Sequence, residues 1–283
     1  MIRIEALLWA TFAGGCSSVD EAKVTGDAAA EAERVEGVVR EDFDRVRTAL
    51  EKHAASLAQG LGKTEPDAKR ATIYRAFAPW RQTTAGGRAV FDLQTAPVLF
   101  LGVVDAEGKL VVRDRQPEKS YREDLRARFP SVGKALRGDA ALSHGTLPGG
   151  EGEVILLAVP VPGESGVVGA IVAPFGYGAL ARRLERQRTL EANRTKGGVV
   201  KAPTIRVALF AGRSYVSGSI QPELDPTRPT PRQRTKKLGT KGSYVEYVPV
   251  QSRPFGLAVR KFGFLEGNAD VGIVVWRSDP VPL

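Results

Sequence analysis

The chain has 283 residues, of which 42% are hydrophobic and 26% are charged, and its formal net charge at pH 7 is +9. This composition excludes a disordered chain and indicates one large globular domain or two of ordinary size. One cysteine and two histidines cannot form an intrachain disulfide and nearly exclude a cysteine–histidine metal cluster, so we expect no metal. The positive charge favours anionic partners, such as a lipid headgroup surface, a polyanion or an acidic small molecule.

The N-terminus carries an apolar segment, residues 6–13, followed by small residues and the single cysteine, Cys16. The segment is too short to span a bilayer, and together with the cysteine it resembles a bacterial lipoprotein signal. That resemblance implies that Cys16 becomes the lipid-modified first residue of the mature chain, and Ser17 after it favours the outer membrane, facing the periplasm. Glu5 and Ala13 depart from the usual signal. The alternative is an ordinary apolar segment with a buried free cysteine.

After this signal segment of residues 1–16, the small and polar residues 17–30 predict a linker. From Val35 to Leu61, apolar residues recur at steps of three and four, which predicts a helix of about 30 residues ending near Gly60. The apolar stripe of this helix suits either packing along the domain or the seam of a coiled-coil homodimer or partner complex. A second helix is predicted over residues 67–77.

A β-hairpin is predicted in the middle of the chain. Residues 98–104 and 110–112 are apolar runs rich in β-branched side chains, and each is short enough for a strand. Asp105 and Gly108 lie between them, where an aspartate can bond its own backbone and a glycine accepts a positive φ. The pattern indicates an antiparallel sheet that is buried on at least one face.

Further hairpins follow along the chain. Residues 153–161 and 166–173 predict a second hairpin, and a helix follows it to about Asn193. Beyond residue 204 the pattern restarts with a third hairpin and three further strands, which makes a second sheet of about five strands. Residues 120–129 predict a short helix between the first two hairpins.

The segment 228–241 has six basic residues and no acidic one. Its proline and threonine content predicts an irregular loop, which is either a solvated insertion or a surface for anionic headgroups or a polyanion. The segment holds no aromatic side chain that could stack on bases, so we expect no nucleic-acid partner.

The sequence gives little support for a catalytic site or a cofactor-binding motif. Gly176 to Ala181 matches a loose dinucleotide fingerprint, but the preceding strand belongs to a hairpin rather than to a parallel βαβ unit. A nucleophile elbow and a phosphate-binding loop are both missing from the sequence, and His144, which we place in a glycine-rich turn, is the one plausible base. We therefore predict a non-enzymatic protein without a cofactor.

The order of these segments resembles a double Cache sensor module, a PAS-like extracytoplasmic domain, over roughly residues 34–277. The resemblance is carried by the long helix and by four later stretches, which are Leu101–Val112, Val132–Gly138, Ala158–Val161 with Val167–Val172, and Ile205–Ser219. It implies an α+β fold of two PAS-like modules, each an antiparallel sheet flanked by helices. The membrane-distal module and the long helix would take residues 31–196, and the membrane-proximal module residues 197–283.

The resemblance also implies a function. Cache domains bind a small ligand between the sheet and the loops of the membrane-distal module and drive a kinase, cyclase or chemotaxis output. This sequence ends at Leu283 without an output domain, so we expect a lipid-tethered sensor or binding protein that signals through a partner protein. The alternative is a structural envelope lipoprotein that binds a partner or an anionic surface without a small-molecule ligand.

Candidate ligand-binding residues follow from their positions in the predicted elements. Trp80 and Arg81 lie in the loop before the first sheet, Arg113 and Arg115 follow its hairpin, and Tyr121 lies at the start of the next predicted helix. An arginine at a strand end can bind a carboxylate with two hydrogen bonds, while an aromatic ring covers the apolar part of a ligand. The expected ligand is therefore a small organic anion or an amino acid.

Overall fold

The structure, a computed structural model, describes residues 20–80, 91–195, 203–219, 222–251, 253–267 and 269–280. Within these residues the chain forms a long N-terminal helix and two antiparallel five-stranded sheets that follow one another along the sequence. The long helix packs against both sheets. The predicted α+β architecture, with a long helix and two antiparallel sheets, is confirmed.

Helix α1 spans Glu21–Ala54 and begins inside the segment that the sequence predicts to be a linker. The Asp20 side chain accepts a hydrogen bond from the Lys23 amide at 3.0 Å and so caps the first turn of the helix. The small residues that follow, such as Ala28, are therefore helical. The apolar stripe is buried against the two sheets, so it packs along the domain, which is the first of the two interpretations that the stripe allows. The chain continues through a short turn into α2, Ala58–Leu61.

The first sheet has the strand order β2-β1-β5-β4-β3. Its strands are β1 Gly102–Asp105, β2 Leu110–Arg113, β3 Ala141–Leu147, β4 Gly152–Gly163 and β5 Gly166–Gly176. The predicted hairpin joins β1 to β2: the Asp105 carboxylate accepts from the Lys109 amide at 2.9 Å, and Gly108 has a φ of +85°. His144, which the sequence places in a turn, lies within β3 and pairs with Ile155.

The segment between β2 and β3 covers the outer face of this sheet. The helix predicted over residues 120–129 is wrong, because Ser120 and Arg122 have φ values of +61° and +62°, which a right-handed helix cannot contain. The segment turns irregularly and becomes helical only in its last part, before β3. Two other helices, α3 Pro66–Phe77 and α4 Phe91–Thr95, come before the first sheet. Helix α5 is the short Pro130–Ala135.

Helix α6, Tyr177–Thr195, leads from the first sheet to the second. The second sheet has the order β7-β6-β10-β9-β8. Its strands are β6 Thr204–Ala211, β7 Ser214–Ser217, β8 Ser243–Val250, β9 Arg253–Lys261 and β10 Val271–Ser278.

The basic segment 228–241 is not an irregular loop, because Pro231–Leu238 forms helix α7. Thr230 and Gln233 make a capping box, in which each side chain accepts from the other residue's backbone amide, and Pro231 suits the first helical position. Leu238 is buried on the outer face of the second sheet, so the last turn of the helix packs on that sheet.

Buried apolar residues form one large core between α1 and the inner faces of both sheets, and a smaller core on the outer face of each sheet. In the part of the chain that the structure describes, each helix is too short or too polar to cross a membrane. The same residues contain no group of three or more histidine, cysteine, aspartate or glutamate side chains arranged for a metal ion.

Candidate functional site

Arg113, the last residue of β2, is buried and fully engaged. Its guanidinium lies over the ring of Phe100, 4.0 Å from the ring centre. Its Nε donates to the backbone oxygen of Arg115 at 2.6 Å, and Nη1 and Nη2 donate to the two carboxylate oxygens of Glu151 at 2.8 and 3.0 Å. This two-pronged pairing is the geometry with which arginine recognises a carboxylate.

Glu151 reaches Arg113 from the turn between β3 and β4. Gly149, Gly150 and Gly152 flank it with φ values of +70°, +76° and +86°, a backbone that other residues adopt only under strain. Lys119 also bonds the carboxylate, at 2.9 Å. Burial raises the pKa of the Glu151 carboxyl, but the hydrogen bonds and charges of Arg113 and Lys119 outweigh it, so the pKa lies below its usual value.

The loop that follows Arg113 is strained. Gln116, Ser120 and Arg122 have φ values of +52°, +61° and +62°, and each such residue costs about 1 kcal/mol or more. The Asp114 carboxylate accepts from the Leu101 amide at 2.8 Å and holds the start of this loop on the sheet. Strain of this kind gathers at ligand clamps and switch regions, so the backbone of this loop makes it a candidate for such a role.

Tyr121 and Arg70 close the far side of the same loop. The Arg70 guanidinium lies 4.7 Å from the centre of the Tyr121 ring and also pairs with Glu118. Arg70 comes from α3, which packs against β2. Tyr121 is only partly exposed, and its ring covers the Arg70 guanidinium.

Three of the sequence-predicted ligand residues, Arg113, Arg115 and Tyr121, lie on the loop 113–121, and the ring of Tyr121 contacts Arg70. Arg115 contributes its backbone oxygen there, and its side chain is exposed. Trp80 lies apart from this cluster: it is buried between the rings of His53 and Phe77, at 5.3 and 6.2 Å. Arg81 lies outside the described residues, as does the lipidation candidate Cys16.

Sequence reasoning missed Glu151, Lys119 and Arg70. Glu151 is 38 positions from Arg113, so no local pattern links the two. The signal that could have found Glu151 is its place between glycines, at residues 149, 150 and 152, because a charged side chain in such a turn is held by a flexible backbone and can reach a distant partner.

Behind Arg113, apolar side chains fill the space between the sheet and its outer cover. Phe100, Leu125, Phe129 and Leu156 are among them. Two buried hydroxyls, Ser131 and Ser143, satisfy each other at 2.8 Å. The Arg113–Glu151 pair therefore lies at the margin of a packed core. Arg113 and Lys119 form a positively charged site that already binds one carboxylate, that of Glu151.

No protein-family model matches the sequence, and the search of curated proteins finds no match. Solved structures are similar over nearly the whole chain. The sensor domain of the V. cholerae histidine kinase DctB superposes with a TM-score of 0.54 at 11% identity, covering 92% of this chain and 99% of that one.

Two further structures have the same arrangement. The ligand-binding domain of the Campylobacter jejuni chemoreceptor Tlp3, solved with 4-methylisoleucine, gives a TM-score of 0.54 at 13% identity, covering 91% of each chain. A sensory box/GGDEF family protein domain from Vibrio parahaemolyticus gives 0.52 at 11% identity, covering 90% of this chain and 97% of that one. At these identities the likeness establishes the fold: the chain has the Cache-type, PAS-like fold of extracytoplasmic sensor domains.

Proposed function

We propose that this chain is a lipid-anchored, extracytoplasmic sensor that binds a small organic anion or amino acid and signals through a partner protein. The observation that carries the proposal is the extent of the fold match, which includes the long helix and both sheets of known sensor domains. The neighbours are receptor domains rather than enzymes, which agrees with the lack of a catalytic motif in the sequence.

The ligand class follows from Arg113. A buried guanidinium that already binds a carboxylate with two hydrogen bonds would accept a ligand carboxylate in the same geometry. Exchanging one carboxylate for another leaves the buried charge paired, so the cost of an unpaired buried arginine is avoided. The glycines around Glu151 would let its turn swing away, and the released carboxylate would return to water.

Thermal and chemical unfolding against a panel of amino and organic acids tests this proposal. A ligand at 100 times its Kd should stabilise the protein by about 2.7 kcal/mol. Arg113→Ala should abolish that shift, whereas Arg137→Ala, at an exposed arginine of the same module, should leave it unchanged. A broad panel without any shift, or a shift that survives Arg113→Ala, would contradict binding at Arg113.

The lipid anchor is a separate part of the proposal. It is supported by the signal-like segment before Cys16 and by the start of α1 at Glu21, because a short tether would hold the folded domain close to the membrane. Mass spectrometry of the mature protein should find a diacylglyceryl group on Cys16 as its first residue, and Cys16→Ser should release the protein from outer-membrane fractions. An unmodified cysteine in a membrane-bound mature chain would contradict the anchor.

A structural envelope lipoprotein is the second candidate. The observation that favours it is the exposed basic surface of α7, where Arg232 and Lys236 face solvent and Lys241 follows just beyond the helix. Co-sedimentation with anionic vesicles that is lost in a variant with all three replaced by glutamine, together with an unresponsive ligand panel, would select this candidate.

A further inference from the structure

A cavity of about 230 Å³ lies between α1, the first sheet and the turn that follows β9. It shares no residue with the Arg113 cluster, and Leu142 and Leu157, which line it, belong to the inner face of the first sheet. Phe43 of α1 and Leu157 of β4 are buried at its base, and Leu142 of β3 and Phe264 of the turn are partly exposed in its walls. The rings of Phe43 and Phe264 meet edge to face, with centres 5.9 Å apart.

Three separate parts of the fold supply the walls of this cavity. The Glu266 amide donates to the Leu142 backbone oxygen at 2.8 Å, and the Glu266 carboxylate pairs with Lys134 at 2.8 Å. These contacts tie the turn of the second sheet to the edge strand of the first. The opening is therefore a fixed feature of the junction between the modules, which is where small-molecule sites are often found.

The helix side of the rim carries two arginines with different roles. Arg40 stacks on Phe264, 4.4 Å from the ring centre, and is bound by the buried Glu36, so its guanidinium is held in place. Arg47 pairs with Asp44 at 3.0 Å and more loosely with Glu51 at 3.8 Å, and all three side chains are substantially exposed. Exposed pairs of this kind are weak, so Arg47 can exchange its partners for an incoming anion.

We propose that this cavity binds a small aromatic monocarboxylate. The volume is below the roughly 300 Å³ at which pockets for drug-sized ligands begin, so it suits a single ring. The ring would pack on Phe43 and Phe264, which favour edge and offset contacts with a third aromatic group. The carboxylate would lie at the rim and bind Arg47.

The site goes beyond the sensor function proposed above, because it uses neither the outer face of the first sheet nor Arg113. A molecule seated there contacts α1, the first sheet and the turn of the second sheet together. Its binding would stabilise one relative placement of these three parts, and it would couple the modules through the helix that both share.

Titration calorimetry with benzoate, phenylacetate and benzyl alcohol tests the proposal. We expect benzoate or phenylacetate to bind, Arg47→Ala to weaken binding about tenfold, and benzyl alcohol to bind weakly and without sensitivity to Arg47. Lys52→Ala removes a charge from an exposed position of the same helix and should leave the affinity unchanged. Ala140→Trp, which fills the cavity from its rim, should abolish binding.

Nuclear magnetic resonance keeps the test decisive if Ala140→Trp does not fold. In the parent chain, the aromatic acids should shift the methyl resonances of Leu142 and Leu157. Absence of binding up to about 5 mM, or binding that leaves these methyls unmoved, overturns the proposal. Binding that Arg113→Ala abolishes and Arg47→Ala preserves also overturns it, and would instead assign the acids to the Arg113 cluster.

Discussion

Glu151 binds the guanidinium of Arg113 with both of its carboxylate oxygens, at 2.8 and 3.0 Å, and thereby joins the turn before β4 to the end of β2. The two side chains are 15% and 5% exposed. In this conformation the protein supplies its own carboxylate to the group that is best suited to recognise one. A ligand carboxylate at this arginine, as proposed above, would compete with Glu151, and that competition can be measured.

Replacing Glu151 by glutamine should change stability and affinity in opposite directions. Glu151→Gln keeps the shape but weakens charge-assisted hydrogen bonds, so we expect the free energy of unfolding to fall by about 2 kcal/mol in urea titrations. Removal of the internal competitor should meanwhile tighten ligand binding roughly fivefold or more. Glu164→Gln, at an exposed site in the β4–β5 hairpin, is the control. A variant that loses both stability and affinity would show that Glu151 supports the ligand instead of competing with it.

The contribution of Glu151 should depend on pH. Its folded-state pKa lies below the usual value, so the carboxylate stabilises the fold at pH values above its unfolded pKa of about 4.3. That stabilisation is lost as the pH falls through the lower, folded-state pKa. The stability difference between the parent chain and Glu151→Gln, measured by urea unfolding between pH 7 and pH 3, should therefore be constant near neutrality and shrink below about pH 4. A difference that grows on acidification would contradict the pairing with Arg113 and Lys119.

Arg234 should be the most costly basic residue to remove from α7. Its side chain is fully buried and bonds Tyr215 at 2.6 Å and Asp270 at 3.0 Å, with the ring of Phe210 4.2 Å away. Arg234→Ala removes this packing and leaves polar groups without partners, so we expect a loss of about 3 kcal/mol in chemical unfolding.

Arg232 gives the matched control for that substitution. It lies on the same helix and is exposed, so Arg232→Ala should change the free energy of unfolding by no more than about 0.5 kcal/mol. Equal effects of the two substitutions would show that α7 does not pack on the second sheet as described. The pair also separates the structural arginine of the basic segment from those available to an anionic surface.

Local chemistry made much of the fold predictable. The turn between β1 and β2 needs a side chain that accepts from a nearby backbone amide and a residue with positive φ. Asp105 and Gly108 meet these two requirements within the same short segment. The apolar stripe on α1 was equally predictable from the sequence, because a helix that packs along two sheets must repeat its apolar positions every three or four residues. Helix α7 was missed because the proline and threonine content of its segment was taken to indicate a loop. The Thr230–Gln233 capping box is a local signal in the sequence that could have predicted the start of the helix.

The candidate site was less predictable because its contacts are long-range. Arg113 was identified from its place at a strand end, but its partner Glu151 comes from a distant turn whose position only the folded sheet defines. Trp80 was chosen for an apparent loop, yet it lies in the core between His53 and Phe77. The position of Trp80 in the sequence does not show whether its side chain packs into the core or faces a ligand site.

Replacing Gly256 by alanine tests how the start of α1 packs on the second sheet. A Cβ added at Gly256 of β9 would lie 2.3 Å from the backbone oxygen of Val24 and 2.6 Å from the Cβ of Ala28. Real side chains do not approach so closely, so Gly256→Ala must push the first turns of α1 away from the sheet. We expect a loss of about 2 kcal/mol or more in chemical unfolding, with faster hydrogen exchange confined to the first turns of α1.

Gly37→Ala is the counterpart within α1 and should have the opposite sign. A Cβ there meets no atom within 4 Å, and alanine is favoured over glycine in a helix by about 0.5–1 kcal/mol. The same unfolding measurement should therefore find Gly37→Ala more stable than the parent chain. If Gly256→Ala were neutral while Gly37→Ala stabilised, α1 would be helical but not docked on β9.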